Sequence, residues 1–401
     1  MGTDTDLVLF GASGFVGRLT ADYLARAAPP GTRIALGGRS RSRLEGVRAG
    51  LPEAARDWPI VVADTSDAGA VRELVASTTA VATTVGPYAR YGLPIVEACA
   101  EAGTHYADLT GEVPFVRASA DRAHDRARET GARITHACGF DSVPSDLAAM
   151  LTAQAAGGAL TDTTLVVTSM SGGISGGTID SLRGMVDEVK SDPATRRLMT
   201  DPYSLSPDRD AEPSPGRETD ATAVGRIDGR WTGVFVMAPF NTRIVRRSNA
   251  LQGWAYGRGF RYREVMAFGR GPLGPALAAG TALGVAGMGV GMALPPTRAV
   301  LDRVLPKPGE GPSERTRERG HFRIETTGTA TDGRRFRTTF AMQGDPGYAA
   351  TAVMLGESGL CLALDDLPGE GGVLTPATAM GTLLVDRLRA AGARIETGAL
   401  A

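Results

Sequence analysis

Lysine is almost missing from this chain: its 43 basic residues include only Lys190 and Lys307, the others being arginine. Short-chain dehydrogenase chemistry needs a Tyr-x-x-x-Lys pair, in which the lysine tunes the tyrosine as proton donor. Val186 and Arg303 stand four residues before the two lysines, so that chemistry is excluded. Cysteine is scarce as well. Cys99, Cys138 and Cys361 are far apart and form no CxxC, which predicts buried thiols in a reducing cytosol rather than a disulfide framework. The four histidines (His105, His124, His136, His321) form no HxxxH pair, so no metal site is expected. A net charge of -1 gives no bulk field for nucleic acid or an anionic membrane. Met1 to Asp6 is polar and lacks the apolar run of a secretory signal, which predicts a cytoplasmic protein.

What is present reads as two domains in 401 residues. From Leu7 to about Met150, short apolar runs (7–10, 33–38, 60–64, 80–86 and 132–138) alternate with segments carrying apolar residues at helical spacing. Continuous apolar strands between amphipathic helices predict a doubly wound α/β domain, a Rossmann-type parallel sheet covered on both faces, over residues 1–150. Residues 151–346 change character. Apolar runs at 164–170, 231–237 and 334–342 and a helix from Ile179 to Ser191 predict an α+β domain with a mostly antiparallel sheet. The Pro- and Ser-rich stretch 201–218 reads as a surface loop, and 306–314 as another break. The tail from Gly347 ends in a predicted amphipathic helix, residues 379–396, that returns to the first domain.

The first apolar run leads straight into Gly11-Ala12-Ser13-Gly14-Phe15-Val16-Gly17 and then a helical pattern. Glycine permits a tight turn and close backbone approach to a pyrophosphate, and a helix start offers unpaired N–H groups. NAD enzymes carry an acid at the end of the second strand, but here that strand ends Gly37-Gly38-Arg39-Ser40. Arg39 suits the 2'-phosphate of NADP, with Ser40 and Arg43 beside it. Asp64, ending the third strand, is placed either to accept from an adenine amino group or to cap the next helix, and both readings stand. The fourth strand runs into Val85-Gly86-Pro87-Tyr88, which puts Tyr88 near a nicotinamide.

The glycine loop with Arg39, VGPYARYG (85–92), GTHYADLTGE (103–112), CGFDSVPSDL (138–147), SGGT (175–178), PGEGPSER (308–315) and GGVLTPATAMG (371–381) together resemble the saccharopine dehydrogenase-like oxidoreductases. Within that family the pattern is most similar to the actinobacterial trans-acting enoyl reductases. The resemblance spans nearly the whole chain and implies an NADP-binding Rossmann domain, an inserted substrate domain and hydride transfer. It implies a polyketide or fatty acyl thioester as substrate, carried on acyl carrier protein or a polyketide synthase. True saccharopine enzymes bind an amino-acid adduct, and no basic cluster for several carboxylates is visible here.

Enoyl reduction needs donors for an enolate oxygen and a proton for the α-carbon. Tyr88 and the 139–145 turn, with Asp141 and Ser142, are the catalytic candidates; Phe140, His105 and Ser175, Gly176, Gly177 and Thr178 are the substrate candidates. Three rivals remain: an imine or ketone reductase of the same family, a non-catalytic NADP-binding protein, and a hydrolase built on Gly173-x-Ser175-x-Gly177. The hydrolase would leave the glycine loop without a purpose. Finally, residues 272–294 carry no charge over nearly the length of a membrane span. This segment reads as a span, as a surface helix meeting a membrane or an acyl chain, or as a buried helix or homodimer contact.

Overall fold

The computed structural model describes residues 3–172, 183, 192–213, 223–294, 296–298, 301 and 312–400. The chain forms two compact units: residues 1–143, 309–311 and 347–392 make the first, and 144–308, 312–346 and 393–401 the second.

Among the described residues the first unit holds a seven-stranded sheet. In chain order its strands are β1 (Thr5–Phe10), β2 (Ile34–Gly38), β3 (Ile60–Val62), β4 (Thr78–Thr83), β5 (His105–Ala107), β6 (Arg133–Thr135) and, from the far end of the sequence, Gly372–Leu374. All pair in parallel, in the spatial order 3-2-1-4-5-6 with Gly372–Leu374 added beside β6. That is the Rossmann order, and β1 and β4 flank its switch point, where connections leave in opposite directions and open a crevice at the strands' carboxyl ends. The strands are apolar without alternation because both faces are covered. Val8, Phe10, Val81, Tyr106 and Ile134 are buried with Ile95, Val96, Cys99 and Phe115 of the flanking helices.

Helices α1 (Phe15–Ala27), α2 (Arg41–Ala49) and α3 (Ala68–Ala76) connect the first four strands. After β4 come α4 (Tyr88–Tyr91) and α5 (Leu93–Ala102), then α6 (Val113–Thr130) after β5. Helix α7 (Val143–Ala156) carries the chain out of this unit.

The second unit has its own sheet, seven-stranded among the described residues and mostly antiparallel. Leu160–Ser171 and Arg261–Ala267 are its one parallel pair there; His321–Ala330, Arg335–Gln343, Arg230–Val234, Gly225–Ile227 and Arg394–Leu400 complete it. Helix α8 (Pro193–Thr200) precedes α9 (Ala238–Leu251), which is buried although it is rich in polar residues. Arg243, Arg246 and Arg247 of α9 donate to the carbonyls of Met199, Pro202 and Leu205, so ordered backbone takes up the arginine donors. Helix α10 (Gly274–Ala293) has the opposite character, apolar and exposed.

The sequence predicts a terminal helix to Glu396, but the helix ends at Ala390 and the chain turns at Gly392 (φ 95°) into strand Arg394–Leu400, paired with Arg335–Gln343 of the second sheet. Apolar Ile395 between polar neighbours gives period two rather than 3.6, a signal too short to outweigh the helical pattern before it. The predicted helix 179–191 falls outside the described residues apart from Arg183.

Candidate nucleotide and catalytic site

The loop between β1 and α1 is shaped by side chains that are not there. Gly11 takes φ 87°, and a Cβ on it would fall 2.7 Å from Thr84 Oγ1 and 2.8 Å from Val85 Cγ2. A Cβ on Gly17 would collide with the backbone carbonyl of Gly11, so only glycine lets α1 pack this closely on the loop. Gly14 is the N-cap of α1 and donates to Gly11 O at 2.9 Å. No cap side chain bonds the helix start, and no acid lies in its first turn, so the positive dipole end of α1 suits an anion. The Ser13 carbonyl accepts from Arg18 Nε, and the Phe15 ring meets Tyr348 edge-on at 4.8 Å. Val16 O accepts from Thr20 Oγ1 inside the helix.

Arg39 is exposed directly beyond β2. Ser40 is the N-cap of α2, accepting from Arg43 N. Asp64 makes an Asx turn, taking the Ser66 N–H at 2.9 Å and the Ser66 hydroxyl at 2.8 Å; those bonds, and the Arg39 charge, hold its carboxyl below the usual range. The cap of α3 is Asp67, so Asp64 does not serve there. The loop 11–17, Arg39 and the 84–87 turn, whose Gly86–Pro87 peptide is cis, thus meet at one edge of the sheet. Thr84 ties them, donating from N to Phe10 O and from Oγ1 to Gly11 O.

Tyr88, Phe140, Asp141 and Ser142 lie about a buried carboxylate that the sequence pattern does not single out. Asp108, just past β5, takes the Thr110 N–H and the Ala137 N–H on Oδ1, each at 3.0 Å, and the Tyr106 hydroxyl on Oδ2 at 3.0 Å. His136 Nδ1 lies 2.7 Å from the same Oδ2, and its Nε2 lies 2.8 Å from Ser119 Oγ. Ala137 holds φ 59°, a left-handed conformation that a residue with a Cβ keeps only where its surroundings enforce it. Asp108 is the enforcing group. The loop continues through Gly139, whose missing Cβ makes room for Leu109 and Thr351, to Phe140, which donates from N to Thr351 Oγ1 at 3.0 Å.

Asp141 follows. Burial, reinforced by the Asp108 charge, pushes its carboxyl up from 3.8 to about 7 although part of the residue's surface reaches solvent. Such an acid carries a proton for about half the time at neutral pH. Ser142 is completely buried beside it.

Tyr88 is also buried; its hydroxyl donates to Thr83 O and accepts from Leu109 N, both at 3.2 Å, and burial pushes the phenol far above its ordinary value. Glu112 takes the N–H groups of Tyr88 and Ala89, capping the short helix that follows Pro87. His105 is not brought to this edge. It opens β5 two residues before the carboxyl end, roughly 7 Å back along the strand. Its Nδ1 accepts from Arg133 N, and burial beside Arg133 lowers it to about 4, leaving it neutral. Ser175, Gly176, Gly177 and Thr178 lie outside the described residues. The signal for Asp108 was an acid two residues after a buried tyrosine at a strand end, within the GTHYADLTGE segment.

A family model described as "Saccharopine dehydrogenase NADP binding domain" matches residues 7–135. A relative in Mycobacterium tuberculosis is 53% identical over 419 residues, covering 99% of this chain and 98% of that one. A trans-acting enoyl reductase of Mycobacterium bovis is 51% identical over 408 residues, with 98% and 97% of the two chains covered. Saccharopine dehydrogenase (L-Glu forming) of Saccharomyces cerevisiae, 13% identical, superposes with a TM-score of 0.54 over 98% of this chain and 99% of that one, which speaks for the fold alone. With the cradle for a dinucleotide formed by its own residues, the chain is an NADP-dependent oxidoreductase and belongs to the trans-acting enoyl reductases of the saccharopine dehydrogenase-like family.

Proposed function

We propose that this protein reduces the α,β-double bond of a polyketide or fatty acyl thioester presented by a partner polyketide synthase or its carrier domain. The observation that carries this reading is the 50–51% identity, over nearly the full length, with mycobacterial proteins named trans-acting enoyl reductases. The glycine cradle and the open start of α1 fit a pyrophosphate, and Arg39 fits a 2'-phosphate. Bound there, NADPH would supply a hydride for the β-carbon of the alkene. The 84–87 turn would wall the cofactor's reactive end at the switch point. Asp141 gives the proton that the α-carbon requires, since burial keeps that carboxyl about half protonated at neutral pH, where an ordinary aspartate would be charged. Asp108 and Thr351 are positioning residues that hold the 139–143 turn. Tyr88 acts the same way through Leu109, since its hydroxyl is spent on two internal bonds. The three cysteines are free and buried, which suits action in a reducing cytoplasm.

Single-turnover oxidation of NADPH with a carrier-bound enoyl chain, read by intact mass, tests the reading. A gain of two hydrogens is expected. No gain with any enoyl thioester, but turnover with an imine or ketone, would transfer the protein to another branch of its family.

A further inference from the structure

Helix α10 places its apolar residues where water would normally stand. Among the described residues eleven large apolar side chains are exposed, and six of them (Leu273, Leu277, Leu283, Val285, Val290 and Leu294) fall in this one segment, Leu273 at 73% and Leu283 at 74%. The helix is not a core helix: only Gly274, Ala278 and Met292 are buried. Gly274 seats on the Trp231 ring and Ala278 over Gly233, both in strand Arg230–Val234, because glycine at each contact lets backbone and side chain approach. At about 100° per residue, Leu273, Leu277, Leu283, Val290 and Leu294 share an arc of roughly 140° on the side opposite these contacts. The first turns of α10 thus rest on the sheet, and the opposite side presents leucine and valine over the helix's whole length.

Three features choose the medium that this face meets. The chain has no Asp or Glu from residue 265 to 301, while Arg270 lies before the helix and Arg298 after it. Arg226, stacked over the Trp231 ring at 5.3 Å, adds a third cation and an aromatic ring at the helix's N-terminal end. Cations at both ends and leucines between them match an anionic lipid surface, with headgroups met by arginine and acyl chains by leucine. The strands on either side of the segment in sequence, Arg261–Ala267 and His321–Ala330, both pair with Leu160–Ser171 of one sheet. The two ends of the helix therefore start and finish on the same side of a bilayer, which excludes a simple span.

We propose that α10 is a monotopic membrane anchor that lies in the plane of an anionic bilayer, its Leu273–Leu294 face sunk into one leaflet. This does not depend on which double bond the enzyme reduces.

Flotation of the full-length protein with vesicles of phosphatidylcholine containing about one quarter phosphatidylglycerol tests it. The wild type should float, and should float several-fold less with phosphatidylcholine alone. The doubly substituted Leu277→Glu, Leu283→Glu protein changes only exposed positions, and should lose at least about tenfold of its vesicle partition while its NADPH binding stays the same. Arg270→Glu should lose roughly fivefold, and only on anionic vesicles. Should the double variant fold poorly, Leu283→Trp replaces it, its fluorescence shifting to the blue and quenched by brominated acyl chains. A wild type that stays with the soluble fraction, a partition unmoved by the double substitution, or a dimer in light scattering that this substitution breaks, overturns the anchor; the last result would assign the face to a second copy of the chain.

Discussion

Two loops at the carboxyl edge of the first sheet do related work by opposite means. The 11–17 loop is defined by missing side chains: Gly11 and Gly17 remove volume so that backbone meets backbone. The 136–142 loop is defined by side chains it borrows. Asp108 from β5 and Thr351 from helix α11 (Ala349–Leu364) hold its N–H groups. A binding surface for a group common to many enzymes can be built from backbone alone, whereas a turn that sets one acid's protonation needs an individual scaffold.

Substitutions sharpen that contrast, and the largest effect belongs to the glycine loop. Gly17→Val forces a branched side chain against the Gly11 carbonyl, with no flexible neighbour to give way. NADPH binding followed by calorimetry should fall at least a hundredfold, and the melting temperature with it. Strong binding by this variant would show that the close helix contact is dispensable.

The counterpart in the other loop is Asp108→Ala. It leaves the Ala137 and Thr110 N–H groups, the Tyr106 hydroxyl and His136 without their acceptor, at a cost of about 3–5 kcal/mol in denaturant unfolding. NADPH affinity should change far less than with Gly17→Val, because the damage lies in the other loop.

Asp141→Asn keeps the loop's shape and removes its proton. Turnover should fall about a hundredfold or more. Wild-type turnover should decline as pH rises through about 7, where the carboxyl ionises, and the variant should lack this limb. Stability gives an independent readout. The folded state holds this proton to about 7 and the unfolded chain only to about 3.8, so wild-type stability falls as pH rises across that window. The variant removes that slope; an unchanged slope would show that Asp141 ionises normally.

Arg39→Asp should weaken NADPH roughly tenfold to a hundredfold while changing NADH little, read by the same calorimetry. The smallest effect is expected from Tyr88→Phe. Losing the bond to Thr83 O and the one from Leu109 N costs about 2 kcal/mol of stability and leaves turnover within roughly tenfold. A thousandfold loss would return the tyrosine to a direct role in catalysis.

The same contrast explains what could be read from the residues beforehand. Glycine spacing after an apolar strand, with Arg39 in place of an acid, exposes the nucleotide loop because local sequence alone builds it. Asp108 is not legible in the sequence because its partners come both from its own strand end and from the loop after β6, a convergence that spacing does not encode. His105 reads as a substrate candidate in the sequence, but its position at the start of β5 depends on pairing register with β4, which only the fold supplies. The exposure of α10 was equally hidden: an uncharged run of this length fits a core, a membrane or a partner, and only packing tells which side is covered.

The order in which the chain visits its units has a consequence for its birth on the ribosome. The first unit's sheet needs Gly372–Leu374, and helix α11 lays Gly359 against Leu7 of the earliest strand. The second unit's sheet closes on Arg394–Leu400. Neither unit can complete itself until nearly all the chain has emerged, so partly built sheets with unpaired edges persist throughout synthesis. Such a protein leans on chaperones or rapid late closure, and nonsense truncation even a few residues upstream of Arg394 would strip a strand from one sheet.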